Sequence, residues 1–189
     1  MVNLLGISGS LRAASLNTAL LRAAAAALPE GVDLQVATLH GIPLYDGDAE
    51  AASGIPEAVE ALKARIRSAD GVVLATPEYN NGIPGVFKNA IDWLSRPASG
   101  IAEVFGDRPF AVIGASPGGF GTILAQDAWW PVLRTLGTRP WFGGRLMVSR
   151  AAAAFDADGA LVDERVRGQL RGFMTDFAGF ARAARSTRT

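Results

Sequence analysis

The segment GISGSLRAASLNTALLRAA (6–24) places three hydroxyls, Ser8, Ser10 and Ser15, around Arg12 and just ahead of Asn17. Hydroxyls, a guanidinium and a carboxamide in one short loop are donor types that grip a phosphate from several sides. A helix starting just after them adds free backbone N–H groups and the positive end of its dipole. The loop is not a nucleoside triphosphate cradle, because no Gly-Lys-Ser/Thr follows it. Nor is it a dinucleotide fingerprint. Gly6 and Gly9 lack the later glycine, and the next apolar segment ends ATLH, with no acid to meet a ribose. Two readings stay open here: a terminal monophosphate held by this loop, or a loop in which Ser15 or Asn17 simply caps the helix.

Two further segments carry ligand-type residues. In TPEYNNGIP (76–84), two prolines and a glycine stiffen the chain while Asn80 and Asn81 tolerate unusual backbone angles. Glu78, Tyr79 and the asparagines would present a flat ring and exposed amides, suited to reading the edge of a planar heterocycle; an ordinary polar turn is the alternative. In SPGGFGT (116–122), Gly118, Gly119 and Gly121 permit close backbone approach beside Ser116 and Thr122. A tight strand-to-helix turn is equally compatible. Arg96 follows a helix end, either at a pocket mouth or in a surface ion pair. Lys88 and Asp92, four apart, read as a solvated pair. His40 reads as a loop residue without a role, and Trp93, Trp129, Trp130 and Trp141 as core or subunit contacts.

These loops need strands and helices to hold them. VNLLGIS (2–8), DGVVLATP (70–77) and PFAVIGAS (109–116) are short apolar runs suited to strands buried on both faces. VDLQVATL (32–39) is less apolar and fits an edge, and RLMVS (145–149) is a fifth strand. Between them helical spacing predicts helices from about Asn17 to Leu28, around 57–67, over 85–94, over roughly 122–136, and from about Asp163 to Arg185, the last with Val166, Leu170, Phe173, Phe177 and Phe180 on one stripe. Residues 41–56 read as a long loop. The proline in DAWWPVL (127–133) suggests a kink. Strands alternating with helices imply right-handed βαβ units: an α/β, three-layer, doubly wound sandwich over residues 1–189 as a single domain. In such sheets ligands sit beyond the carboxyl ends of the strands, where strand order reverses. The three loops acquire a joint meaning only if they meet there.

Bulk properties narrow the function. Net charge is zero and only Lys63 and Lys88 among the 18 basic residues are lysine, so no general attraction to nucleic acid or anionic membrane is expected. With no cysteine, disulfides, thiolate catalysis and zinc–thiolate sites are excluded, and a single histidine argues against a metal centre or a Ser-His-Asp triad. No apolar run approaches the roughly 20 residues that span a bilayer, and the start MVNLLGISGS lacks a secretory pattern, so a cytoplasmic protein is expected.

GSLRAASLN, TPEYNNGIPGVFKNAIDWLSRP and the Ser-Pro-Gly-Gly turn, in this order, resemble the NADPH-dependent FMN reductase family, over nearly the whole chain and nearest to its chromate, quinone and ferric reductase branch. The resemblance implies a flavodoxin-like fold with a five-stranded parallel sheet of order 2-1-3-4-5. It implies FMN as cofactor, its phosphate held by Ser10, Arg12, Ser15 and Asn17, with Arg12 divided between that phosphate and the pyridine nucleotide. Its ring would be flanked by Pro77, Glu78, Tyr79 and Asn80 and closed off by Ser116, Gly118 and Gly119. NADPH or NADH would pass hydride to the flavin, and a small-molecule acceptor would then use the same place beside Tyr79, with no residue acting as nucleophile or acid. Arg96 joins Tyr79 as a substrate contact on the pocket-mouth reading of its helix end. A homodimer or homotetramer is implied as well. The alternatives are an FMN reductase supplying a monooxygenase and a flavodoxin-type electron carrier. The zero net charge counts against the carrier, since carriers usually dock through an acidic face.

Overall fold

The computed structural model describes residues 1–185; the last four residues of the expected 1–189 domain lie outside them. Among the described residues six strands form one parallel sheet: β1 (Val2–Ser8), β2 (Val32–Ala37), β3 (Gly71–Ala75), β4 (Pro109–Ala115), β5 (Arg139–Pro140) and β6 (Leu146–Val148). The order is β2-β1-β3-β4-β5, with β6 also paired to β4. Every residue of β3 and β4 is buried, as expected for strands covered on both faces by crossover helices. β2, the edge strand, fully buries only Leu34 and Ala37 and exposes Asp33 and Gln35.

Among the described residues seven α-helices accompany the sheet: α1 (Leu16–Ala26), α2 (Gly47–Ser53), α3 (Glu57–Ser68), α4 (Gly85–Leu94), α5 (Ile101–Phe105), α6 (Ile123–Thr135) and α7 (Glu164–Arg185). They bury two separate cores. On one face Leu20 and Leu21 of α1 join Leu170, Phe173 and Phe177 of α7. On the other, Leu62 and Ile66 of α3 join Phe87 and Trp93 of α4 and Trp129 and Leu133 of α6. Side chains of this size contribute about 1.5–3 kcal/mol each on burial, so the two layers clamp the sheet from both sides. α6 runs through Pro131 without ending, and the stripe expected for α7 is the face it buries.

The fifth strand departs from expectation. Where one strand is predicted over 145–149, β4 is flanked by two pieces: Arg139–Pro140 against its start and Leu146–Val148 against its end. The cause is Trp141. Its indole turns into the first core, 4.8 Å from the Phe173 ring and 5.6 Å from Phe177. The chain must arch over it at Gly143 and Gly144, where an added Cβ would lie 2.5 and 2.9 Å from the indole. Two helices are also additional. α2 lies in the expected 41–56 loop, capped by the Asp46 carboxylate on Asp48 N at 2.9 Å, and it buries no residue. α5 precedes β4.

Candidate functional site

The chain leaves β1 toward β2 on one side and later returns to β3 on the other, so the loops after β1 and β3 diverge and open a crevice at the carboxyl edge. That crevice is open to solvent and is lined by Ser10, Arg12, Ser15, Leu16, Asn17, Pro77, Glu78, Tyr79, Ala115, Ser116 and Pro117. All three ligand-type loops therefore meet in one cleft. Asn80 and Gly118 stand next to lining residues without lining it themselves, Gly119 is one residue further out, and Arg96 is not part of it. Leu16, Ala115 and Pro117 line it without any sequence signal of their own beyond adjacency.

The first loop is held by packing and hydrogen bonds before it meets any ligand. Gly9 N donates to Ala75 O at 2.9 Å, tying this loop to the end of β3. A Cβ at Gly9 would fall 2.1 Å from the Phe87 ring, so glycine is required here by a core aromatic rather than by a phosphate. Ser8 faces inward, its hydroxyl 2.8 Å from that of Thr18. Ser15 caps α1, its Oγ accepting from Thr18 N at 3.2 Å, while its hydroxyl proton stays available for a ligand. Ser10 Oγ accepts from Arg12 N at 3.3 Å. His40 has a role after all: Nε2 donates to Leu11 O at 3.2 Å and Nδ1 meets the Thr38 hydroxyl at 3.0 Å. It pins the first loop to the chain leaving β2.

Two expected ligand side chains are engaged elsewhere. The Asn17 carboxamide, 3% exposed, donates to Ala115 O and accepts from Ala115 N, both at 2.9 Å. It acts as a surrogate strand at the end of β4, and what Asn17 offers the cleft is its main-chain N–H in the first turn of α1, where helix amides have no internal partner. The Glu78 carboxylate accepts from Leu124 N at 2.8 Å and Ala125 N at 3.0 Å, so it caps α6, whose own N-cap Thr122 makes no side-chain cap bond. Tyr79 and Gly82 exchange backbone bonds of 3.1 Å in both directions. Asn80 and Asn81 between them are left-handed, at φ 50° and 62°, as a two-residue type I′ hairpin requires. This rigid turn holds the Tyr79 ring 47% exposed at the cleft edge. In the third loop Ser116 Oγ accepts from Gly118 N at 3.1 Å, and Gly118 O takes the Arg150 amide at 2.8 Å.

Arg96 lies beyond the last turn of α4. That ten-residue helix carries it about 15 Å from the second loop, at 1.5 Å per residue. Its Nε donates to both Glu50 oxygens, at 3.1 and 2.9 Å, and Glu50 also receives the Tyr45 hydroxyl at 2.9 Å. The Arg96 hydrogen bond holds the Glu50 carboxyl below its ordinary range, and the bond to Glu50 pushes the Tyr45 hydroxyl up. Lys88 and Asp92 form the expected exposed pair at 2.7 Å. Among the described residues Arg12 makes no ion pair.

The profile of the NADPH-dependent FMN reductases matches residues 2–153. The chain belongs to that family. An NAD(P)H-dependent FMN reductase of Pseudomonas aeruginosa is 45% identical over 166 residues, covering 88% of each chain. A 2-hydroxy-1,4-benzoquinone reductase of Burkholderia sp is 37% identical over 179 residues, 95% of this chain and 96% of the relative. The solved structure of FerB, a flavoenzyme NAD(P)H:(acceptor) oxidoreductase from Paracoccus denitrificans, superposes with a TM-score of 0.85 at 34% identity, covering 97% of this chain and 99% of that one. Family membership makes the protein a flavin-dependent oxidoreductase, with FMN as cofactor and a reduced pyridine nucleotide as electron donor.

The donor set of the cleft fits FMN. One end offers the open first-turn amides of α1, two hydroxyls and an unpaired guanidinium, the partners of a dianionic phosphate. The other end offers a rigid turn and an exposed aromatic ring. Among the described residues no cluster of His, Asp or Glu is placed to hold a metal ion, and no helix is long and apolar enough to cross a membrane.

Proposed function

We propose that the protein binds FMN in this cleft and catalyses electron transfer from NADPH or NADH to small-molecule acceptors, with quinones, chromate and ferric chelates as the acceptor classes. When bound, FMN supplies two-electron acceptance from the pyridine nucleotide and delivery to the acceptor. The chain supplies the grip and the field. The Arg12 guanidinium, the Ser10 and Ser15 hydroxyls and the Leu16 and Asn17 amides would hold the phosphate. The backbone of Pro77, Glu78, Tyr79 and Asn80 would flank the ring, and Ser116 with the Gly118-Gly119 turn would close the far side. Donor and acceptor would share the exposed side of the cleft beside Tyr79. Arg96, held by Glu50 beyond α4, is left outside this arrangement. No side chain is required to exchange a proton with substrate.

The observation that carries this reading is the convergence of the three strand-end loops on one cleft already braced through Asn17, Glu78 and Gly9. Purified protein should be yellow or take up FMN, and it should oxidise NADPH or NADH when given a quinone. A colourless protein that neither binds FMN nor consumes reduced pyridine nucleotide would sink the reading. The named activity of the Pseudomonas relative favours a second reading, release of reduced FMN to another enzyme. Retention of FMN through gel filtration separates the two.

The proposal includes a single FMN-binding domain working in the cytoplasm as a homodimer or homotetramer. Phe120 and Phe142 are 85% and 68% exposed beside the exposed Ile123 and Leu124 of α6, and Trp130 packs on Phe142 at 4.7 Å. An apolar ridge of that kind supports association between copies. Light scattering of the purified protein tests it: a monomer at micromolar concentration would contradict it.

A further inference from the structure

The end of α1 lines the cleft, while the end of α6 stands behind the lining residue Glu78, and the two are treated in opposite ways. α1 leaves the amides of Leu16 and Asn17 open among Ser10, Arg12 and Ser15. α6 reaches the cleft only through Glu78, whose carboxylate occupies the Leu124 and Ala125 amides. Those two residues lie 46 and 47 positions further along the chain, on the far side of β4. A cap donated from another loop is unnecessary for helix stability alone, since a Ser, Asp or Asn at position 122 would supply it locally. The local residue, Thr122, instead turns its hydroxyl to the Gln126 amide at 3.0 Å.

We propose that Glu78 is a positioning residue that gives the cleft its polarity. By closing the amide pole of α6 with a carboxylate, it leaves α1 as the end at which an anion is stabilised. It thereby fixes the direction in which a monophosphorylated flavin lies: phosphate toward Arg12, ring toward Tyr79. The same carboxylate beside the ring end disfavours the extra negative charge of reduced flavin and so holds the bound cofactor more reducing. This inference rests on the FMN reading of the cleft, but its first test does not.

Glu78→Ala and Glu78→Gln, each in the full chain, separate the contact from the charge. In FMN-free protein, Glu78→Ala should melt about 2–4 °C lower, the shift expected for a lost helix cap in a chain of this size. Sodium sulfate should restore more of that loss than sodium chloride at equal ionic strength, because an anion can re-occupy the freed amides. Glu78→Gln keeps an acceptor oxygen and should melt close to the parent protein. Its preference for FMN over riboflavin, read by quenching of flavin fluorescence, should rise by about threefold to tenfold, because a negative charge that repels the phosphate from this end of the cleft is gone. Its affinity for reduced relative to oxidised FMN should rise by a similar factor, a tenfold change being about 30 mV in the midpoint potential of a two-electron couple. An Ala variant that melts like the parent, or shows no sulfate-specific rescue, overturns the proposal. So does a Gln variant with unchanged flavin preference and unchanged potential. If the parent protein binds no FMN, the functional reading fails, and melting with sulfate rescue decides the role of Glu78 by itself.

Discussion

Arg12 and Arg96 are both plausible anion contacts from sequence, yet the fold gives them different work. Arg12 sits in a cleft whose neighbouring donors are already braced, and among the described residues no carboxylate neutralises it. Arg96 is closed into a network with Glu50 and Tyr45 beyond a helix that leads away from the cleft. A guanidinium becomes a ligand contact when its surroundings supply donors and withhold acceptors. Where a carboxylate lies within reach, the same group becomes an internal brace.

The largest effect should come from breaking the brace beneath Arg12. Asn17→Ala orphans the buried N–H and C=O of Ala115 and should lower unfolding free energy by about 2–4 kcal/mol in urea denaturation, with FMN binding weakened as well. Arg12→Ala should leave the fold intact and weaken FMN by about 10- to 100-fold, the equivalent of a charge-assisted bond of about 1.5–3 kcal/mol. Riboflavin, which lacks the phosphate, should bind almost as before. Equal losses for both flavins would remove Arg12 from the phosphate end. Ser15→Ala should cost about 1 kcal/mol of stability through its cap, with a smaller loss of FMN affinity than Arg12→Ala.

Arg96→Ala sharpens the contrast from the other side: FMN affinity and the KM for NADPH should stay within error of the parent. Its signature should appear in pH dependence instead. Because Glu50 is held below its ordinary pKa in the folded state, the contribution of the pair is complete above the unfolded carboxylate range and lost as pH falls through the lowered value. Melting curves of parent and Arg96→Ala should therefore converge in acid. A difference that persists unchanged to pH 2 would show that Arg96 acts through something other than Glu50.

Much of the scaffold was legible. The apolar runs at β3 and β4 read as strands because burial on both faces leaves no room for polar residues, and the α7 stripe read as a helix because one face alone is buried. The divided fifth strand was not legible, since its cause is the tertiary seat of Trp141 between Phe173 and Phe177. α2 escaped because it buries nothing and so has no periodic pattern. In the cleft the loops themselves were readable from residue type. The partners of Asn17 and Glu78 were not, because they are main-chain groups 98 and 46 residues away. The displacement of Arg96, in contrast, follows from the length of α4 and needed only a rise per residue.

The interruption at Trp141 also bears on how copies of this chain can meet. The side of the sheet beyond β4 presents a two-residue piece that includes Pro140, then an arch, then three residues. That outline offers no continuous row of backbone donors and acceptors for a neighbouring strand to extend. Growth of the sheet from molecule to molecule, the usual beginning of fibrous aggregation, is thereby obstructed on this flank, and assembly is left to the helical surfaces.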